Sequence, residues 1–339
     1  MGIANGHRLL VFALNFASIF LLDVAHAAKP IFVFGDSYVD TGNHNRSETP
    51  WKYPYGITWP HHPSGRYSNG HVLTDFVAKA MGTTSPKPYS FYTKHSHSLH
   101  KGVKHGVNFA VGGSGVFQAL DPRNFSVQVD QLKSVLQTMP QQLRRHHLQH
   151  TPVFVSINGN DYSHFLAANG SLKELPVYVT RVVDEIIRNI QKIYGLGLRK
   201  FVLGNLGPLG CLPAQTASVA YNRCIALYDP VVQYHNWYYA QQVKTMSKAL
   251  KGAHFFTLDQ YGAFSNVIAN PSRFGITHVL QPCCTPKRGK TNTCGEVDKN
   301  GEPMFNVCSN PETHLFWDGV HPTQAGWTAV TSIYIVPDN

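Results

Sequence analysis

Ser37 closes the tripeptide Gly35-Asp36-Ser37, directly behind the apolar run Ile31-Phe32-Val33-Phe34. Near the other end of the chain, Trp317-Asp318-Gly319-Val320-His321-Pro322 supplies an acid and a base three residues apart. A serine hydroxyl is a poor nucleophile until a base takes its proton. His321 can be that base, and Asp318 can hold the imidazole in one tautomer and stabilise the imidazolium. Each piece alone is weak, because Gly-Asp-Ser also suits a strand-end turn with a helix cap, and Asp-x-x-His also suits a surface turn. Together they have the parts of a hydrolytic triad, in the order Ser37, Asp318, His321.

A triad of this kind also needs donors for the oxyanion of its tetrahedral intermediate. Gly112-Gly113-Ser114-Gly115-Val116 nearly matches the G-x-S-x-G nucleophile elbow, but its last residue is Val. Its glycines suit a backbone turn that offers N–H groups. Ile157-Asn158-Gly159-Asn160-Asp161 follows a very apolar run, and the Asn160 amide there can donate to an oxyanion.

Elements must carry these residues to one place. Residues 30–34, 106–111, 152–157, 200–206 and 253–258 are apolar runs that read as strands. Stretches with helical spacing lie between and after them: 69–81, 127–139, 175–194, 218–250 (broken near Pro230) and 323–333. In 175–194, Val179, Val182, Val183, Ile186, Ile187, Ile190 and Ile193 share a face, and Gly195 and Gly197 end the run. Strands alternating with helices predict an α/β fold, a mainly parallel five-stranded sheet covered on both faces. The loops 41–68, 86–104 and 281–310 would then gather at ligand-binding strand ends.

The bulk composition agrees. With 339 residues, 43% hydrophobic and 14% charged, the chain has ample material for a core and is too apolar for disorder. Residues 1–27, with His7 and Arg8 before an apolar stretch and Ala25-His26-Ala27 at its end, read as a signal peptide. Residues 28–339 then form a single domain, with no later transmembrane anchor. The sequons at Asn45, Asn124 and Asn169 are glycosylation candidates in a secreted, extracellular chain. Cys211, Cys224, Cys283, Cys284, Cys294 and Cys308 are disulfide candidates, with the adjacent Cys283 and Cys284 bonded to different partners and the pairing otherwise open. A formal charge of +10 favours weak binding to anionic surfaces, while the lack of a basic recognition helix argues against nucleic acid.

Phe34-Gly35-Asp36-Ser37-Tyr38-Val39-Asp40-Thr41-Gly42-Asn43 resembles the first block of the plant-type GDSL esterase/lipase family, the SGNH hydrolases. Residues 63–70, 108–115, 159–162 and 316–323 resemble its later blocks in order, so the likeness runs over 30–330. The resemblance implies a three-layer α/β/α sandwich, flavodoxin-like, without a cofactor. It implies Ser37 as nucleophile, His321 as base, Asp318 as orienting acid, and an oxyanion hole from the N–H groups of Ser37 and Gly112 and the side chain of Asn160. Two departures stand out: Asn158 replaces a usual Gly, and Tyr38 replaces a usual Leu.

The predicted activity is a secreted serine esterase or lipase. Its ester substrate could be a lipid, a cutin-like polyester or an acetylated polysaccharide. A non-catalytic carbohydrate-binding or inhibitory protein, and an acyltransferase using the same acyl-enzyme, are the alternatives. Trp51, Tyr55 and Trp59 are candidates to line a substrate groove, although such rings more often pack a long loop. His61, His62, His95, His97, His100, His105, His146, His147 and His150 match no closed zinc pattern, so no metal is expected.

Overall fold

All five predicted runs form strands of one parallel sheet in the computed structural model, which describes residues 30–94, 105–138, 147–171, 173–287 and 294–334. The leader read in residues 1–27 lies outside the described residues, as do His95, His97, His100 and His146. The strands are β1 (Phe32–Gly35), β2 (Val107–Asn108), β3 (Pro152–Ser156), β4 (Lys200–Gly204) and β5 (His254–Leu258). Their order across the sheet is β2-β1-β3-β4-β5, with Phe32 opposite Val107 on one side and Val153 on the other. This is the flavodoxin-like order, whose direction reverses at β1 and β3.

Helices complete the layers: α1 (Leu73–Ala80), α2 (Phe125–Gln137), α3 (Asn160–Ala167), α4 (Leu175–Gly195), α5 (Asp229–Ala249), α6 (Gln260–Ala269) and α7 (Gln324–Tyr334). Side chains alternate along each strand, so Phe32 and Phe34 enter one core and Ile31 and Val33 the other. The first core joins them to α2, α4 and α5 through residues such as Phe125, Ile186 and Tyr239. The second packs α1, α6 and α7 through Leu73, Phe264 and Trp327. The result is the three-layer α/β/α sandwich.

Three differences from the sequence reading have local causes. The stretch 218–250 becomes helical only from Asp229, where Pro230 occupies the first turn; short 3-10 turns precede it. Helices α3 and α6 were not predicted. The loop 281–310 contains an antiparallel pair, β6 (Cys284–Pro286) with β7 (Phe305–Val307). That pair is tied by Cys283–Cys308 and Cys284–Cys294, while Cys211–Cys224 closes a separate turn. The adjacent cysteines thus bond to different partners. The backbone N–H groups of Cys283 and Cys284 donate to the carbonyls of Phe316 and Trp317, so the cross-linked pair holds the chain just before Asp318.

Candidate active site

Gly35 is where β1 must stop. Its φ is +148°, and a Cβ there would collide with the Ser156 carbonyl of β3. Its backbone is bracketed by the buried Gln128 of α2: Gly35 N–H donates to Gln128 Oε1 at 2.9 Å, and Gln128 Nε2 donates to Gly35 O at 2.9 Å. One side chain therefore satisfies both polar groups of the strand end and fixes the direction in which the next two residues leave.

Asp36 is buried and joins two loops. Its carboxylate accepts the N–H groups of Tyr38 and Asn158, and Asn158 Nδ2 also donates to Ser156 Oγ. Burial pushes the Asp36 carboxyl up to about 6, against the pull of those N–H groups toward the carboxylate. Asn158, a departure from the family pattern, thus fastens the Asn160 loop to the Ser37 turn. Tyr38, the other departure, donates its hydroxyl to Val320 O at 2.9 Å and ties the Ser37 turn to the His321 loop.

From this turn Ser37 Oγ lies 2.8 Å from His321 Nε2. On the far side of the ring, His321 Nδ1 is 2.8 Å from both oxygens of Asp318. The serine is 8% exposed and the aspartate 5%, so both are buried at the wall of the site. Asp318 Oδ1 accepts the N–H groups of Val320 and His321, each at 2.8 Å, and Oδ2 accepts the Tyr55 hydroxyl at 2.8 Å. Burial alone would raise the Asp318 carboxyl, but His321 and these N–H donors outweigh it and hold the carboxyl below its usual range. Tyr55 behaves in the opposite sense: burial first, and then the Asp318 charge, push its hydroxyl well above the usual phenol range, so it stays a donor. The Tyr67 ring stacks on His321 with centroids 4.7 Å apart, and Tyr38 meets the same ring edge-on.

The loop after β2 lines the same cavity as Ser37. Gly112 was expected to lend its N–H to an oxyanion, but that N–H donates to the buried Asp40 carboxylate at 3.0 Å. The N–H of Gly113, which has φ +77°, has no partner among the described residues, and neither does that of Ser37. Asn160 begins α3 and spends one Nδ2 hydrogen on Ser114 O at 2.8 Å, leaving the other. Asp161 accepts the N–H groups of Val116 and Phe117 and locks α3 onto this loop. The hydroxyl of Ser114, the serine of the near-elbow, is buried and donates to Arg123 O.

Ser37, Gly112, Gly113, Asn160, Asp318 and His321 share a cavity of about 510 Å³ at the carboxyl ends of the strands. Of the groove candidates, only Tyr55 lines it, and its hydroxyl is engaged by Asp318. Trp51 instead donates to His44 O and lies under Arg46, while Trp59 stacks on His71 at 3.9 Å. Trp51 thus packs within its own loop, and Trp59 packs the loop against His71, just ahead of α1. Among the sequon residues, Asn45 and Asn169 are exposed, and Asn124 caps α2 by accepting Val127 N–H. A grouping of Cys283, Cys308 and His314 has metal-like spacing, but its two sulfurs are bonded to each other.

Sequence reasoning missed Gln128 and the contact of Tyr55 with Asp318, and it singled out Gly112 where the free N–H of the turn is that of Gly113. Gln128 carried no signal, while Tyr55 carried one as part of an aromatic loop that was read as groove lining.

A family model described as GDSL-like Lipase/Acylhydrolase matches residues 31–332. GDSL esterase/lipase At5g03610 of Arabidopsis thaliana is 40% identical over 313 residues, covering 89% of this chain and 85% of that protein. GDSL esterase/lipase At3g09930 of the same plant is 38% identical over 312 residues, covering 89% and 86%. A solved structure, the alpha/beta hydrolase enzyme LAE5 from the metagenome of Lake Arreo, aligns over 91% of this chain and 94% of its own at 12% identity and a TM-score of 0.40. So distant a likeness carries no argument, and the fold assignment rests on the strand order. With the blocks of 30–330 matched by the family model and by relatives along nearly their whole length, the chain belongs to the GDSL lipase/acylhydrolase family and is a carboxylic ester hydrolase.

Proposed function

We propose that the protein is a secreted serine esterase working through an acyl-enzyme on Ser37. The observation that carries this reading is the unbroken contact line from Ser37 Oγ through the His321 ring to Asp318. With Nδ1–H donated to the Asp318 carboxylate, Nε2 keeps its lone pair for the serine proton. Ser37 Oγ attacks the ester carbonyl as its proton moves to Nε2. The tetrahedral oxyanion takes hydrogen bonds from the N–H groups of Ser37 and Gly113 and from Asn160 Nδ2; Gly112 braces the turn through Asp40. His321 then gives its proton to the leaving alcohol oxygen, and the acyl group stays on Ser37. Water enters, loses a proton to His321, and releases the acid with Ser37 restored. Tyr55 is a positioning residue in this scheme, since it holds Asp318 and touches no reacting atom.

Residues 1–27 serve as the leader, and 28–339 as one hydrolase domain. Three disulfides and the exposed sequons at Asn45 and Asn169 support an oxidising, extracellular location. No helix among the described residues is long and apolar enough to cross a membrane. An alcohol in place of water would make the same acyl-enzyme a transferase, and product analysis with a competing alcohol measures that share.

Ser37→Ala tests the mechanism. It should abolish hydrolysis of p-nitrophenyl acetate, by about 10³-fold or more, with the thermal transition retained. A variant that keeps wild-type turnover overturns the role of Ser37.

A further inference from the structure

An enzyme that seats a long acyl chain needs an apolar wall to receive it, because ligand pockets are lined predominantly by hydrophobic side chains. Among the described residues, the lining of the cavity around Ser37 is more polar than apolar. Four carboxylates line it, those of Glu48, Asp121, Glu296 and Asp318, against one guanidinium, Arg123. This acidic lining sits in a chain whose formal net charge is +10. Asp318 is used by His321, and Arg123 is paired with Asp121 at 2.6 Å. Glu48 and Glu296 are exposed, and their side chains make no ion pair or hydrogen bond among the described residues. The apolar part of the lining is the minority: Leu120, which is 74% exposed, Val320, and the Tyr55 and Tyr67 rings, which pack against Asp318 and His321.

Laying methylene groups along this wall would strip water from carboxylates without replacing its hydrogen bonds, which is unfavourable. A polyhydroxylated alcohol does the reverse. Its hydroxyls can donate to Glu48 and Glu296 and accept from Arg123, replacing the displaced water. Anionic alcohols, such as uronate units or acidic phospholipid headgroups, meet like charge at the same rim.

Building on the serine-esterase reading, we infer that the site takes short acyl esters, acetyl above all, of neutral polyhydroxylated alcohols such as sugar units, and discriminates against long acyl chains and anionic esters. Glu48 and Glu296 are the specificity-determining residues. The reaction is the one already described: the acetyl carbonyl bonds to Ser37 Oγ, the sugar oxygen leaves with the proton from His321, and water releases acetate.

The test uses the full mature chain, secreted with its disulfides intact. kcat/KM is measured for p-nitrophenyl acetate, butyrate, octanoate and palmitate. Acetate release is compared between an acetylated neutral oligosaccharide and an acetylated uronate oligosaccharide. The acetyl ester should exceed the octanoyl ester by about tenfold or more, and the neutral oligosaccharide should exceed the uronate by a similar factor at low salt. In Glu48→Leu/Glu296→Leu the octanoate-to-acetate ratio should rise about tenfold. Octanoate or palmitate turned over as well as acetate overturns the inference while leaving the esterase reading intact. An unchanged ratio in the double variant overturns the role given to the rim. No turnover of any ester, together with no labelling of Ser37 by a phosphonate, overturns the esterase reading and this inference with it.

Discussion

Replacing Tyr55 by Phe removes one oxygen from behind the triad. The hydroxyl donates to Asp318 Oδ2 at 2.8 Å, and the residue is 3% exposed. The ring itself stays, held edge-on by Tyr67 and Trp317. Asp318 keeps the N–H groups of Val320 and His321 and the His321 ring. A hydrogen bond to a buried charge is worth about 1.5–3 kcal/mol. Because the bond exists before substrate arrives, most of that loss should appear as stability, about 2 kcal/mol in denaturant unfolding. The remainder is felt when His321 becomes an imidazolium beside a less well-held carboxylate, and should lower kcat by about 3–10-fold, equivalent to about 1 kcal/mol. A split between the kinetic constants separates this from simple destabilisation: on folded protein the loss should fall on kcat, with KM changed by less than about twofold. Urea melts and steady-state assays read this out. Wild-type stability and kcat in Tyr55→Phe would refute the support assigned to this hydroxyl.

Other expected outcomes follow from neighbouring contacts. Asn160→Ala should lower kcat by about 100–1000-fold with a smaller change in KM, as loss of an oxyanion donor does; a tenfold rise in KM at unchanged kcat would assign Asn160 to substrate binding. Asp36 has its carboxyl raised from 3.8 to about 6, so the folded state binds the extra proton between those values. Its contribution to stability is therefore fully present below about pH 4 and falls as pH rises through about 6, by about 3 kcal/mol. Asp36→Asn should flatten that part of the stability profile in urea melts, and a profile identical to wild type would contradict the burial argument. Cys283→Ser/Cys308→Ser opens a bridge spanning 25 residues and should lower unfolding free energy by about 3 kcal/mol. Activity should fall with it, because Cys283 and Cys284 hold the backbone before Asp318; full activity at an unchanged melting temperature would count against that coupling.

The parts of this molecule legible from sequence are those written in local pattern. Ile31 to Phe34 alternate between the two cores, and the helical spacing of Val179 to Ile193 marks α4. Asp318 and His321 stand three apart, so one short loop delivers both, and their contact needs no long-range information. What the pattern does not carry is side-chain contact across long separations. Gln128 reaches Gly35 across 93 residues, and Tyr55 reaches Asp318 across 263. Gly112 and Gly113 are indistinguishable as residue types; which N–H is left open depends on Asp40, 72 residues away. Helix α3 escaped notice because its eight residues begin on polar Asn160 and Asp161 and bury little besides Tyr162. The β6–β7 pair has only three residues a strand, too few to show an apolar alternation, and the Cys283–Cys308 bridge joins its two sides.

The central claim is that Ser37, activated by His321, becomes acylated. Treating the folded protein with a fluorophosphonate and mapping the adduct by peptide mass spectrometry tests this without choosing a substrate. The account predicts a single stoichiometric adduct on Ser37 that is lost in His321→Ala. An unmodified Ser37, or an adduct carried on another serine such as Ser114, would contradict it.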